Sequence, residues 1–191
     1  LSLKDDAGNE VTHATLANSP SIDADTPTVS SASASPTDGT RKVGQSVVVT
    51  ITASESGLAA GAAASTINGV DVTSSFSASD TEYSYTYTVA EGHTDRALDA
   101  LPISLSLKDD AGNEVTHTTL ANSPSIDANT PTVSGASAEP SDGTRKVGES
   151  VVVTLTASDS GLAAGAAAST INGVDVTSSF SASGTEYSYT Y

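Results

Sequence analysis

The sequence predicts an all-β protein, and three observations carry that prediction. Val, Thr, Ser, Ala and Gly dominate a chain of 191 residues that has no Cys, Met or Trp, a composition that suits pleated strands and tight turns better than helices. Apolar and polar residues alternate with a period of two in several short runs. Turn signals containing Gly, Asn or Asp separate those runs at short intervals.

The elements follow in chain order from residue 25. The first strand is expected over residues 27–34, where Pro27, lacking a backbone donor, suits the start of an edge strand. Thr37-Asp38-Gly39 turns the chain. Residues 45–53 form the second strand: Val47, Val49, Ile51 and Ala53 face one way, Val48, Thr50 and Thr52 the other. Ser56-Gly57 ends it. The segment GLAAGAAAS, residues 57–65, has the Ala content of a helical turn, but its two glycines weaken a helix, and it reads as a crossover loop. Asn68-Gly69 between Ile67 and Val70 marks a two-residue hairpin joining strands 65–68 and 70–77, because the mirror-type turn needs positive φ. Tyr83, Tyr85 and Tyr87 alternate with Ser84, Thr86 and Thr88 in a strand over 82–89. With few other large side chains to fill that sheet, the triplet reads as a core face with its hydroxyls at the rim. After Glu91-Gly92, a strand over 102–108 alternates Ile103, Leu105 and Leu107 with small or polar residues. Ala111-Gly112-Asn113 then turns into a last strand, 114–121. About seven short strands in about 100 residues predict an immunoglobulin-like sandwich.

The chain repeats itself. Residues 1–87 align without a gap with residues 105–191, with nine differences, a period of 104 residues. Solenoid repeats run about 20–50 residues, so this period is that of a whole domain, and the chain reads as domains in tandem. The acidic segments SIDADTPTVS (21–30) and SIDANTPTVS (125–134) mark the joints. One complete domain is expected at 25–128, with residues 1–24 the C-terminal strands of a preceding repeat and 129–191 the front of a following one. The chain starts in mid-pattern, as a piece of a longer array would.

Charge excludes several functions. The net charge is −16, from 23 acidic against seven basic residues. Nucleic-acid binding needs Lys and Arg clusters, and the largest basic group is Arg41-Lys42. Anionic membrane surfaces are disfavoured for the same reason, and no run approaches the roughly 20 apolar residues of a membrane span. A thin core without disulfides leaves bound metal as the remaining common staple.

The motif DDAGNE at 5–10 and 109–114, the linker IDADTPTV about fifteen residues after the first copy, and SYTYTVAEGHTD at 84–95 together cover the chain in a pattern that resembles the immunoglobulin-like stalk repeats of large secreted bacterial RTX adhesins. The period and near-identity of the copies are most similar to the extender repeats of ice-binding adhesins of marine bacteria. That resemblance implies an extracellular, cell-surface location. It also implies Ca²⁺ in loops and linkers that folds and stiffens the array, and neighbouring repeats of the same chain as the partners. Ice or surface binding would belong to other domains, because the RTX nonapeptide and a regular Thr repeat are both absent.

The acidic residues suit such sites. Ca²⁺ takes six to eight oxygen ligands, more than any one segment here offers, and the EF-hand pattern is absent. A site must therefore be assembled from several loops. In the expected sandwich, Glu55, Asp109, Asp110 and Asn113 lie at the end where the chain enters, beside Asp23 and Asp25 of the entering linker. Asp95, with Asp38, Glu91 and Asp99, lies at the opposite end, beside Asp127 and Asn129 of the leaving linker. Asp5, Asp6 and Asn9 are the repeat counterparts of the DDAGNE ligands, and Asp159 is that of Glu55. The changes Glu55 to Asp159 and Asp25 to Asn129 between copies keep an oxygen donor, whereas Asp80 becomes Gly184 and is set aside. DDAGNE alone fits a self-bonded turn as well as a metal loop; the acids gathered at the same end tilt the reading to metal.

No catalytic constellation stands out. His93 and Asp95 could be imagined in a Ser-His-Asp set, but no nucleophile elbow accompanies them. A glycosidase would need a cleft with aromatic platforms. The expectation is a non-catalytic stalk. The alternative is a glycan- or protein-binding module, which would need the Tyr triplet to face outward.

Overall fold

A computed structural model describes residues 1–191, and its only helical turns are the 3₁₀ segments Thr73–Ser75 and Thr177–Ser179. The strands in chain order are β1 (Ser2–Lys4), β2 (Glu10–Thr12), β3 (Val29–Ser35), β4 (Thr40–Lys42), β5 (Ser46–Ala53), β6 (Ala59–Ala60) and β7 (Thr66–Ile67). There follow β8 (Val70–Asp71), β9 (Ser77–Ser79), β10 (Glu82–Thr88), β11 (Ile103–Lys108), β12 (Glu114–His117) and β13 (Ser125–Asp127). The last six are β14 (Val133–Glu139), β15 (Val152–Ala157), β16 (Thr170–Ile171), β17 (Val174–Asp175), β18 (Ser181–Ser183) and β19 (Glu186–Thr190).

Two antiparallel sheets enclose one core. The first runs β3-β5-β10-β9 and the second β12-β11-β7-β8, with β6 also on β11. The period-two runs set the register: Tyr83 lies opposite Ile51, Tyr85 opposite Val49 and Tyr87 opposite Val47. Aromatic rings against β-branched side chains are among the favourable cross-strand pairs. All three Tyr side chains are fully buried, as are Leu105 and Leu107 from the other sheet. The 18-residue core cluster lies wholly between Ala34 and Ala128.

The Tyr hydroxyls are inside the core instead of at its rim, and each ties it to a loop or to the second sheet. Tyr83 Oη donates to the Glu55 carbonyl and accepts from the Leu58 amide, both at 3.0 Å. Tyr85 Oη donates to the Ser106 carbonyl at 2.8 Å. Tyr87 Oη accepts from Asn68 Nδ2 at 3.1 Å and contacts His93 Nδ1 at 3.0 Å. A backbone N–H, that of Ala90, also donates to His93 Nδ1, so that nitrogen is the acceptor and the ring proton sits on Nε2.

Several elements differ from the sequence expectation, among them β4 (Thr40–Lys42), which the sequence does not predict, and the last strand, which ends at His117 and not at residue 121. The strand expected over 70–77 is broken after Asp71, because Asp71 Oδ1 takes the Thr73 amide at 2.9 Å and Ser75 Oγ donates to the Val72 carbonyl at 2.7 Å. These short side chains offer the backbone local partners that replace the ladder. The crossover 57–65 contains β6, which reaches β11 because Gly61 has no side chain: a Cβ there would overlap Ser106 and Glu114. The joint at 125–127 is itself a strand, parallel to β4, because Ile126 is buried between exposed or half-exposed neighbours. The Asn68-Gly69 hairpin forms as expected, with φ of 54° and 75°. Asp80 and its counterpart Gly184 both have positive φ, 54° and 62°, so that exchange answers a backbone need of the turn before β10.

The partial copies are open. The sheet β14-β15-β19-β18 repeats the first sheet, but β16 and β17 pair only with each other, and β1 and β2 likewise.

Candidate functional site

The DDAGN turn is built by its first aspartate. Asp109 Oδ1 accepts the Asn113 amide and Asp109 Oδ2 accepts Asn113 Nδ2, both at 2.8 Å. Asp5 does the same with Asn9. The Asn side chain holds both carboxyls below the usual range, since a hydrogen bond to the charged form favours it. Asp5 and Asp109 are thus staples of their own loops.

The turn also grips the entering linker. Asn113 Nδ2 points to the Asp25 carbonyl at 3.1 Å and the Asp23 carbonyl at 3.4 Å, while Asp23 Oδ1 accepts the Asp25 amide at 3.1 Å. Beside this contact, Asp23, Glu55, Asp109 and Asp110 line one open pocket of about 180 Å³ together with Ser56, Gly57 and Leu58. The structure therefore brings the entry-end residues to one place from three separate segments. Their oxygen chemistry fits a hard divalent cation. No group of three or more Asp, Glu or His is drawn together at metal-holding distances.

The exit end is organised differently. Asp95 Oδ1 accepts the Ala128 amide at 2.8 Å and Oδ2 accepts Asn129 Nδ2 at 2.9 Å. Glu91 takes the Thr130 amide at 2.9 Å and its hydroxyl at 2.6 Å. Asp127 Oδ1 receives the Asn129 amide at 3.3 Å. The acids here are occupied by donors of the leaving linker. Lys42 lies opposite Asp127 in the β4–β13 register and shares a groove with Asp127 and Asn129. A lysine there opposes a bound cation, so the entry end is the better metal candidate.

The remaining candidates belong to the partial copies. Asp5, Asp6 and Asn9 sit on the exposed β1–β2 hairpin. Asp159 accepts from Ser158 Oγ at 2.7 Å. Sequence reasoning missed the role of Thr130 as the donor to Glu91, and no local pattern signals a contact across 39 residues.

Glu91 lies below the usual carboxylate range because the Thr130 hydroxyl, and then the Thr130 amide, donate to it. A depressed folded-state pKa gives stability that is present above the unfolded value and lost as pH falls through the folded one. The Glu91–Thr130 contact should therefore hold at neutral pH and be released only as the pH falls through and below the ordinary carboxylate range. The Thr130 amide resonance should report that release, and Glu91→Gln should abolish the pH dependence while keeping one acceptor. A Thr130 amide insensitive to pH between neutral and strongly acid conditions would contradict the assignment.

The chain matches no family model and no curated protein.

Proposed function

We propose that this chain is a non-catalytic extender, tandem immunoglobulin-like domains in the stalk of an extracellular bacterial adhesin, stiffened by Ca²⁺ at its loops and linkers. The observation that supports it best is that both linkers are hydrogen-bonded to the central domain, the entering one through Asn113 and the leaving one through Glu91 and Asp95. A tether meant to swing would leave those groups to water. The two linkers are copies of one sequence, so each joint in an array would be held from both sides. Ca²⁺ at the entry-end pocket would take oxygens from Asp23, Glu55 and Asp110, relieving repulsion in a domain with 13 acidic and four basic residues. The other reading, a glycan- or protein-binding module, drew its surface from a Tyr triplet that is buried.

Thermal unfolding of the 191-residue chain by circular dichroism tests the calcium part. Ca²⁺ at 100 times its Kd would add about 2.7 kcal/mol to the folded state, a rise in midpoint of about 10 °C or more for a domain of this size. The rise should be much smaller in Mg²⁺ and absent in Glu55→Gln/Asp110→Asn. Superimposable curves in EDTA and millimolar Ca²⁺ would remove calcium from the proposal.

A further inference from the structure

Asn68-Gly69 carries a chemistry that the hairpin itself does not use. An Asn followed by Gly can modify itself. The Gly amide nitrogen attacks the Asn Cγ, a C–N bond forms, and Nδ2 leaves as ammonia with the Gly N–H proton. Water then opens the cyclic imide at either carbonyl, to aspartate or to isoaspartate. Gly hinders the attack least, because it has no side chain. Water is the only other reactant, and Gly69 is exposed to it.

The reacting amide, in contrast, is locked inside the protein. Nδ2, the atom that must leave, donates to Tyr87 Oη at 3.1 Å and to the Thr94 carbonyl at 2.8 Å, while Oδ1 accepts Arg96 Nε at 2.7 Å. The Asn68 amide also donates to the Pro102 carbonyl at 2.8 Å. Cγ moves onto the Gly69 nitrogen only when the side-chain bonds part. Thr94 and Arg96 lie on one short segment, and the leaving linker holds it. Arg96 and Ile126 exchange backbone hydrogen bonds at 3.0 and 2.8 Å, and the Ala128 amide donates to Asp95 Oδ1 at 2.8 Å. Release of β13 would therefore free the segment that restrains Asn68.

The product does not fit the seat. The Ala90 amide donates to His93 Nδ1, so the Tyr87 hydroxyl commits its one proton to the same nitrogen. An aspartate oxygen in place of Nδ2 would face two acceptors, Tyr87 Oη and the Thr94 carbonyl, and keep only the Arg96 contact. Isoaspartate lengthens the main chain of a two-residue turn and displaces the pairing of Ile67 with Val70.

We propose that Asn68-Gly69 is a self-deamidation site, held unreacted by segment 94–96 and released when the leaving linker lets that segment go. Deamidation then turns a reversible opening of the joint into a permanent one.

Mass spectrometry of the 191-residue chain after incubation at mildly alkaline pH tests this. The tryptic peptide 43–96 contains one Asn, so exchange of NH₂ for OH is assigned to residue 68. The urea-unfolded chain gives the intrinsic rate. The folded chain should react at least about tenfold more slowly, as a reaction that waits on local opening does. Arg96→Ala should match the wild type in urea but react about tenfold faster than it when folded. Val49→Ala, whose cross-strand neighbours are Ala34 and Tyr85, lowers global stability without touching the segment and should leave the folded-state rate near that of the wild type. Asn68→Asp, the product made directly, should unfold at lower urea than the wild type. Equal rates in the folded and unfolded wild type, equal acceleration by Arg96→Ala and Val49→Ala, or a wild-type urea midpoint in Asn68→Asp would each overturn the proposal.

Discussion

Tyr85→Ala is expected to remove much of the stability of the central domain. Tyr85 is fully buried, packs its ring 5.5 Å from that of Phe76 and holds the second sheet through the Ser106 carbonyl. Truncating a large buried aromatic costs about 3–5 kcal/mol, against about 5–15 kcal/mol for the stability of a whole domain. The core here has few other large side chains to collapse into the space. Tyr85→Phe keeps the ring, and the Ser106 carbonyl keeps the Gly61 amide, so its cost should be about 1 kcal/mol. Tyr189, the counterpart in the open copy, is only half-buried, and Tyr189→Ala should be milder for lack of a facing sheet. Urea unfolding of the three variants followed by circular dichroism orders them. Equal losses at Tyr85 and Tyr189 would mean that the second sheet adds little.

Asn68→Ala should be the most damaging change outside the apolar core. Asn68 has φ of 54° and is 94% buried by difference from its 6% exposure. Its Nδ2 donates to Tyr87 Oη at 3.1 Å and to the Thr94 carbonyl at 2.8 Å, and its Oδ1 accepts Arg96 Nε at 2.7 Å. Alanine would strain a left-handed position, at about 1–2 kcal/mol, and orphan groups inside the protein, at about 1–3 kcal/mol. Asn68→Gly removes the first cost and retains the second, so the difference between the variants separates backbone from side chain. Arg96 also exchanges two backbone hydrogen bonds with Ile126 of the leaving linker, so amide exchange at Ile126 should quicken in both variants. Asn172, the counterpart, shares the positive φ, 51°, but keeps only its side-chain bond to Tyr191, so Asn172→Ala should show the backbone cost with little of the side-chain cost.

What was readable in the sequence had a local cause. β5 and β10 each bury one face, and a half-buried strand writes itself as alternation. Asn68-Gly69 could be read as a turn because positive φ restricts residue type. The hub role of the Asn68 amide could not, since its partners come from residues 87, 94 and 96. β4 and β13 were hidden for a related reason. TRK and SID are short and polar, and their pairing joins residues 85 apart. Among the candidate ligands, Glu55, Asp109, Asp110 and Asp23 could be placed at one end from strand order alone. Two aspartates in DDAGNE look alike in sequence, yet Asp109 is spent on Asn113, and only folded geometry tells it from Asp110.

The parallel seam between β4 and β13 fixes how the domain would meet a pull along the chain. Tension on residue 128 acts along 125–127, across the bonds from the Ser125 amide to the Gly39 carbonyl and between Ile126 and Arg96. A force directed along β13 would load those bonds together, in shear, and would not peel them one at a time from an end. Resistance to force is governed by the rate of the unfolding step and not by equilibrium stability, so a modest domain with a thin core can still be a stiff link.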